Sequence, residues 1–236
     1  TEMAKGNDAE ERLQAERLLI EAKSLGIWEA TPINFNSKVL SLTDTIRLIN
    51  EQMGRESVKP LTSKSMVNLN SGPFWSVLDD VCTQAKLRPN SAIVYMSRSL
   101  KQVDLDENHR STSIKKSYDG ACRLELTSLA RTQDSTIDFE GENSHSKRMV
   151  MTFSLYWEPK LTVLGHVMPS VEAITDRDSK LGDRSRSANW CFDHYQTLKK
   201  EFSCEIQSPT LGDRSLETIQ VKIPLLASGC PLEKEI

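Results

Sequence analysis

With 236 residues, 38% of them hydrophobic and 27% charged, the chain has the composition of a folded protein and suits one large domain or two modest ones. A formal charge of −3 argues against nucleic acid as a partner, since a phosphate-backbone binder needs a concentrated basic face. No apolar run approaches the roughly 20 residues that cross a bilayer, so the sequence predicts no membrane span.

Thr1-Glu2-Met3-Ala4-Lys5 has no apolar h-region, and the reading at this end is therefore of no signal peptide; a mature extracytoplasmic chain would read the same. Ala9 to Leu25 is predicted to be an amphipathic helix, with Ala15, Leu18, Leu19, Ala22 and Leu25 as its apolar stripe and Gly26 as its cap. Residues 1–30 thus form a first segment, docked through Ile27-Trp28. Thr31 to Ser37 fits a strand through Ile33 and Phe35. Ser41-Leu42-Thr43-Asp44 resembles a capping box, and Leu42, Ile46, Ile49 and Met53 then mark one face of a helix closed by Gly54.

A second copy of this pattern follows. Ser65-Met66-Val67-Asn68-Leu69 reads as a strand, Gly72-Pro73 opens a helix, and Phe74, Val77, Leu78, Val81, Cys82 and Ala85 recur at helical spacing. Ser91 to Met96 is predicted as a closing strand. Residues 31–98 therefore read as a small module of two strand–helix units. Between Ser97 and Lys116 acids and hydroxyls crowd together, and residues 99–117 read as a polar linker or loop.

Beyond it the apolar period changes to two. Cys122, Leu124 and Leu126 alternate with Arg123 and Glu125, and Met149, Met151, Phe153, Leu155 and Trp157 alternate over a longer run. Leu161 and Val163, Val171 to Ala173, Trp190 and Phe192, Phe202 to Ile206 and Ile219 to Leu225 supply further runs, with turn residues such as Asp119-Gly120 and Ser208-Pro209 between. The expected class is α+β: a two-unit strand–helix module followed, over residues 118–236, by an antiparallel Ig-like β-sandwich.

The chemistry-bearing residues are sparse. Asp79 and Asp80 are neighbours in a helix and cannot share a face, so they form no acid/base pair and one of them faces solvent. Trp75 and Trp157 read as core aromatics. Asp176, Asp178 and Asp183 alternate around a glycine as calcium loops do, although Lys180 stands where an oxygen ligand is wanted and the closing Glu is missing. Cys191 and His194 bring ligand types together without a second pair at zinc spacing. Leu181-Gly182-Asp183-Arg184-Ser185 recurs as Leu211-Gly212-Asp213-Arg214-Ser215, a turn used twice or a pair of anion-binding loops. The five cysteines stand singly. Cys82 reads as a buried thiol, Cys191 and Cys204 as cross-strand neighbours able to pair, and their usage leaves the compartment open. No nucleophile elbow, phosphate loop, dinucleotide fingerprint or H-E-x-x-H motif is present, so nothing specific argues for an enzyme or a cofactor.

The two units, with Leu42 to Ile49 in one and Gly72 to Cys82 in the other, resemble the short N-terminal module of secretins and TonB-dependent receptors. The whole arrangement is similar to bacterial envelope proteins in which two such units precede a β-rich half opening on a Tyr-x-Gly-x-x-Arg-x-x-Leu strand, here Tyr118 to Leu126, and carrying Trp-Glu-Pro before a basic residue and Leu, here Trp157 to Leu161. The acidic turn Ile174 to Asp178 also fits. The resemblance implies a periplasmic or extracytoplasmic protein whose modules contact another envelope protein, through an exposed sheet edge that accepts its strand. It supplies no active site. A calcium- or carbohydrate-dependent adhesion domain using Asp176, Asp178 and Asp183, and a hydrolase built around Cys191 and His194, are the alternatives.

Overall fold

A computed structural model describes residues 27–90, 102–107, 115–137, 143–167, 169–175, 180–182, 190–192, 198–207 and 216–227. The predicted helix over Ala9 to Leu25 lies outside them. The front of the chain runs β1 (Pro32–Ile33), β2 (Val39–Ser41), α1 (Leu42–Gln52), β3 (Met66–Asn68), β4 (Gly72–Pro73), α2 (Phe74–Ala85), β5 (Leu87–Asn90) and β6 (Asp104–Glu107). The two units interlace, because β1 pairs with β4 and β2 with β3, both antiparallel.

Helix α1 starts where Ser41, in extended backbone, accepts from the Asp44 amide through Oγ at 3.1 Å and donates to Asp44 Oδ2 at 2.6 Å. The first turn's orphan amide is thereby satisfied as the sequence predicted. Leu42, Ile46 and Ile49 are buried, and the helix stops at Gly54, whose φ of +65° is the left-handed geometry a glycine adopts freely. Helix α2 has no side-chain cap; instead the Phe74 amide donates to Thr31 O at 2.9 Å, so the end of β4 docked on β1 does the capping.

The stretch read as a linker contains a strand. β6 pairs with β5, Val103 is buried, and Val103 bridges Val58 with Lys59 and Ser57 as backbone partners. Its acids mask an apolar alternation, Val103 and Leu105, that packs on the core while Asp104 faces Lys59 at 3.3 Å. The predicted strand Ser91 to Met96 lies outside the described residues; the one that follows α2 is β5.

The rear comprises β7 (Lys115–Asp119), β8 (Cys122–Ile137), β9 (Asn143–Trp157), β10 (Val163–Val167), β11 (Ser170–Thr175), β12 (Lys180–Gly182), β13 (Trp190–Phe192), β14 (Lys199–Gln207), β15 (Leu216–Lys222) and β16 (Leu225–Ala227). They form antiparallel sheets in the orders β14-β9-β8-β7, β12-β11-β15 and β13-β10-β16. The architecture is α+β, mostly strand, with small antiparallel sheets.

Two apolar clusters hold it. One gathers α1 and α2 with Trp28, Ile33, Leu155, Trp157 and Ile223, so front and rear share a core. The other joins Met149, Met151, Phe153, Cys204 and Ile206 of the four-stranded sheet to Val171, with Ile219 and Val221 packed against it. The four-stranded sheet is thus covered on the face bearing Leu124, Leu126 and Phe153, and α2 meets the opposite face.

Candidate functional site

Helix α2 places Trp75, Asp79 and Cys82 at i, i+4 and i+7, one turn apart on one face. All three are buried. A carboxylate taken out of water must find partners, and Asp79 accepts four hydrogen bonds from three side chains. Arg123 Nε donates to Oδ2 at 2.6 Å and Nη2 to Oδ1 at 3.1 Å; Lys116 Nζ donates to Oδ1 at 2.7 Å and the Tyr118 hydroxyl to Oδ2 at 2.8 Å. Each oxygen therefore accepts two bonds.

Arg123 is as enclosed as the carboxylate, at 1% exposure. Its Nη1 lies 2.7 Å from Glu125 Oε2, in a geometry that makes the contact ionic rather than a formed hydrogen bond. Its guanidinium sits 4.6 Å from the Tyr156 ring centre and 5.8 Å from that of Trp75, where aromatic faces favour a cation. Burial works to lower the Arg123 pKa, but the charge and hydrogen bonds of Asp79 outweigh it and the net direction is upward. Burial, then Asp79, push Tyr118 upward as well. Burial first and Asp79 second raise the Cys82 thiol from an ordinary 9.0 to about 12, so this cysteine is unreactive at neutral pH.

Beside this cluster lies a second polar tie. Glu158, fully buried, accepts from the Thr31 amide at 2.9 Å and the Thr31 hydroxyl at 2.6 Å, with Lys160 Nζ at 3.4 Å. Lys160 also donates to Glu29 O. Ala121 O accepts from the Glu158 amide at 2.9 Å and from the Trp75 indole at 3.2 Å, while Arg55 donates to Pro159 O at 2.9 Å. Both ties bind the front of the chain to the rear.

Alternation puts Arg123 and Glu125 on the face of β8 opposite Leu124 and Leu126, and the structure buries both. A period of two separates the faces of a strand without saying which is wet, and here α2 covers the second face. Asp80 is exposed while its neighbour is buried, and Trp75 and Trp157 are core residues, as read from sequence. The remaining site residues behave differently. Asp176, Asp178, Asp183 and His194 lie outside the described residues. Cys191 stands on β13 opposite His166, whereas Cys204 stands on β14 opposite Met151 of β9. The expected cross-strand pair is therefore not formed: strands close in sequence enter different sheets, and Cys82, Cys122 and Cys204 are buried thiols outside any disulfide. Of the repeated Leu-Gly-Asp-Arg-Ser segments only Leu181 and Gly182 are described, on β12. Among the described residues, no group of three or more His, Cys, Asp and Glu is placed to hold a metal.

The Asp79 cluster was missed by sequence reasoning, although two signals pointed to it. An acid on the apolar side of a helix needs a cation, and the strand motif Tyr118 to Leu126 holds Tyr118 and Arg123 at the spacing that faces them to one side across a tight hairpin. Compared with known proteins, the chain matches no family model, no curated protein and no solved structure.

Proposed function

We propose that the chain is a protein-binding or scaffold protein of the cell envelope, working by contact rather than catalysis, and that it receives a strand of another protein along β8. One observation carries the reading. β7 pairs with β8 only over Cys122 to Leu126, and β8 then runs on to Ile137 with a described partner strand on its β9 side alone. A strand open on one edge offers a row of amides and carbonyls to an incoming extended chain. Leu129, in register with buried Met151, is 46% exposed on that length, where an added strand would cover it. The Ig-like sandwich reading of the rear belongs to the same proposal. Its support is the apolar layer in which Met149, Met151 and Phe153 meet Val171, Ile219 and Val221. The envelope location is supported by the resemblance to the secretin and TonB-receptor module.

The test uses the intact chain, since the shared core leaves neither half complete. Leu129→Lys together with Ala130→Lys places charges on the open edge, at two exposed positions. The expected result is loss of a partner retained by the wild type, protection of the Thr127–Arg131 amides in the wild-type complex, and an unchanged melting temperature. Undiminished retention by the doubly charged variant, with no amide protection, sinks the proposal.

A further inference from the structure

The edge strand β7 is attached in an unusual way. Each of its five residues is exposed, and none belongs to either apolar cluster. Besides the ladder to β8, Lys116 and Tyr118 anchor it, both on Asp79. These residues stand two apart, in register with Glu125 and Arg123, and therefore point to the same face. The neighbouring strands are secured differently: β9 contributes Met149, Met151, Phe153, Leu155 and Trp157 to the clusters, and β14 contributes Phe202, Cys204 and Ile206.

We infer that β7 is a displaceable strand, and that the strand which can replace it is an extended segment carrying a basic side chain and, two positions on, a hydroxyl or second basic donor. The physical reason lies in Asp79. Arg123 alone leaves one lone pair on each carboxylate oxygen vacant, in a setting where an unmet buried charge is costly. A segment that reproduces the ladder to Cys122–Leu126 but brings no donors cannot compete with β7; one that brings both donors can. β7 itself contributes no side chain to either apolar cluster, so an incoming segment has only the ladder to pair and Asp79 to meet again. Displacement also joins Cys122–Leu126 to the length of β8, up to Ile137, that has no described partner strand on this side. This inference extends the strand-addition reading above: it names the chemistry that the partner strand carries and the element that must leave.

Two measurements test it without the natural partner. In hydrogen exchange on the wild-type chain, the Lys115–Asp119 amides are expected to exchange at least about tenfold faster than those of Met149–Trp157, through local opening; exchange of both in step, by global unfolding alone, overturns the inference. The second probe is a fluorescent peptide spanning Ile114–Gly120, added to the full chain bearing Lys116→Met and Tyr118→Phe. These changes weaken the resident strand while keeping the Asp79–Arg123 pair. The wild-type peptide should bind this variant at least about tenfold more tightly than a peptide carrying the same two substitutions, the scale set by two polar bonds to a charged group. Equal binding of both peptides, or binding of neither, overturns the inference. If β7 opens locally and takes the peptide while the charged edge variant keeps its partner, strand addition on the length beyond β7 is the idea that fails. If exchange is global while that variant loses its partner, only the displacement of β7 fails.

Discussion

Helices α1 and α2 follow the same sequence pattern, a short strand and then an apolar stripe, yet they do different work. Helix α1 lies at the margin of the core. It buries Leu42, Thr45, Ile46 and Ile49, caps itself through Ser41 and Asp44, and keeps Arg47 in exposed ion pairs with Asp44 at 3.6 Å and Glu51 at 2.7 Å. Helix α2 is enclosed on more of its circumference, burying Trp75 and Asp79 as well as Phe74, Val77, Leu78, Val81 and Cys82. The helix that can be stabilised locally is the one facing water; the helix without a side-chain cap is held by what surrounds it. Local pattern makes both elements, and partners across the chain decide which becomes the hub.

That contrast can be broken most severely at Asp79. Asp79→Ala leaves Arg123 buried against Glu125 with its main counter-charge gone, and the expected loss in a urea or thermal unfolding experiment is about 3–5 kcal/mol. Replacing both partners by apolar residues of similar size, Asp79→Leu with Arg123→Met, should recover much of that loss, because no charge is then stranded. A double variant as unstable as the single one would show that the cluster is not acting as a charge pair.

A second effect separates the helices by pH. The Cys82 pKa is raised from 9.0 to about 12, so its contribution to stability is fully present below pH 9 and is lost as pH rises through that window. The expected fall reaches roughly 4 kcal/mol by the top of it, at about 1.4 kcal/mol per pKa unit. Tyr118, shifted in the same upward direction, adds loss at the alkaline end. Denaturant unfolding from pH 8 to 11 measures the slope, and Cys82→Ala should flatten it; an unchanged slope assigns the effect elsewhere. The smallest expected change belongs to α1, where Ser41→Ala removes the cap and costs about 1 kcal/mol. An effect on the scale of Asp79→Ala at this position would remove the distinction between the two helices.

The helices, the alternating run Met149 to Trp157 and the burial of Cys82 were legible in the sequence because each depends on a period that the chain carries within itself. The linker was not, because Val103 and Leu105 supply only two apolar positions among acids, too few to outweigh the surrounding polarity. The burial of Arg123 was not legible for a related reason: a charged residue in an alternating strand is indistinguishable from a solvated one until something is known to lie over it. Glu158 and Thr31 stand 127 positions apart, and no local spacing announces their contact. The acidic run Asp176 to Asp183 is also legible as a pattern, and its three acids Asp176, Asp178 and Asp183 lie outside the described residues.

By itself, then, the order of amino acids determined where α1, α2 and the long alternating strands form and which residues share a face, since those follow from steric preference and periodicity along neighbouring residues. Only the tertiary structure decided that the second helix lies against the sheet, that Asp79 is met by Arg123, Lys116 and Tyr118, and that β7 is tied to that helix through Lys116 and Tyr118. Those outcomes turn on the loss of water from specific charged groups, which happens when distant segments come together and has no signature in the segments taken separately.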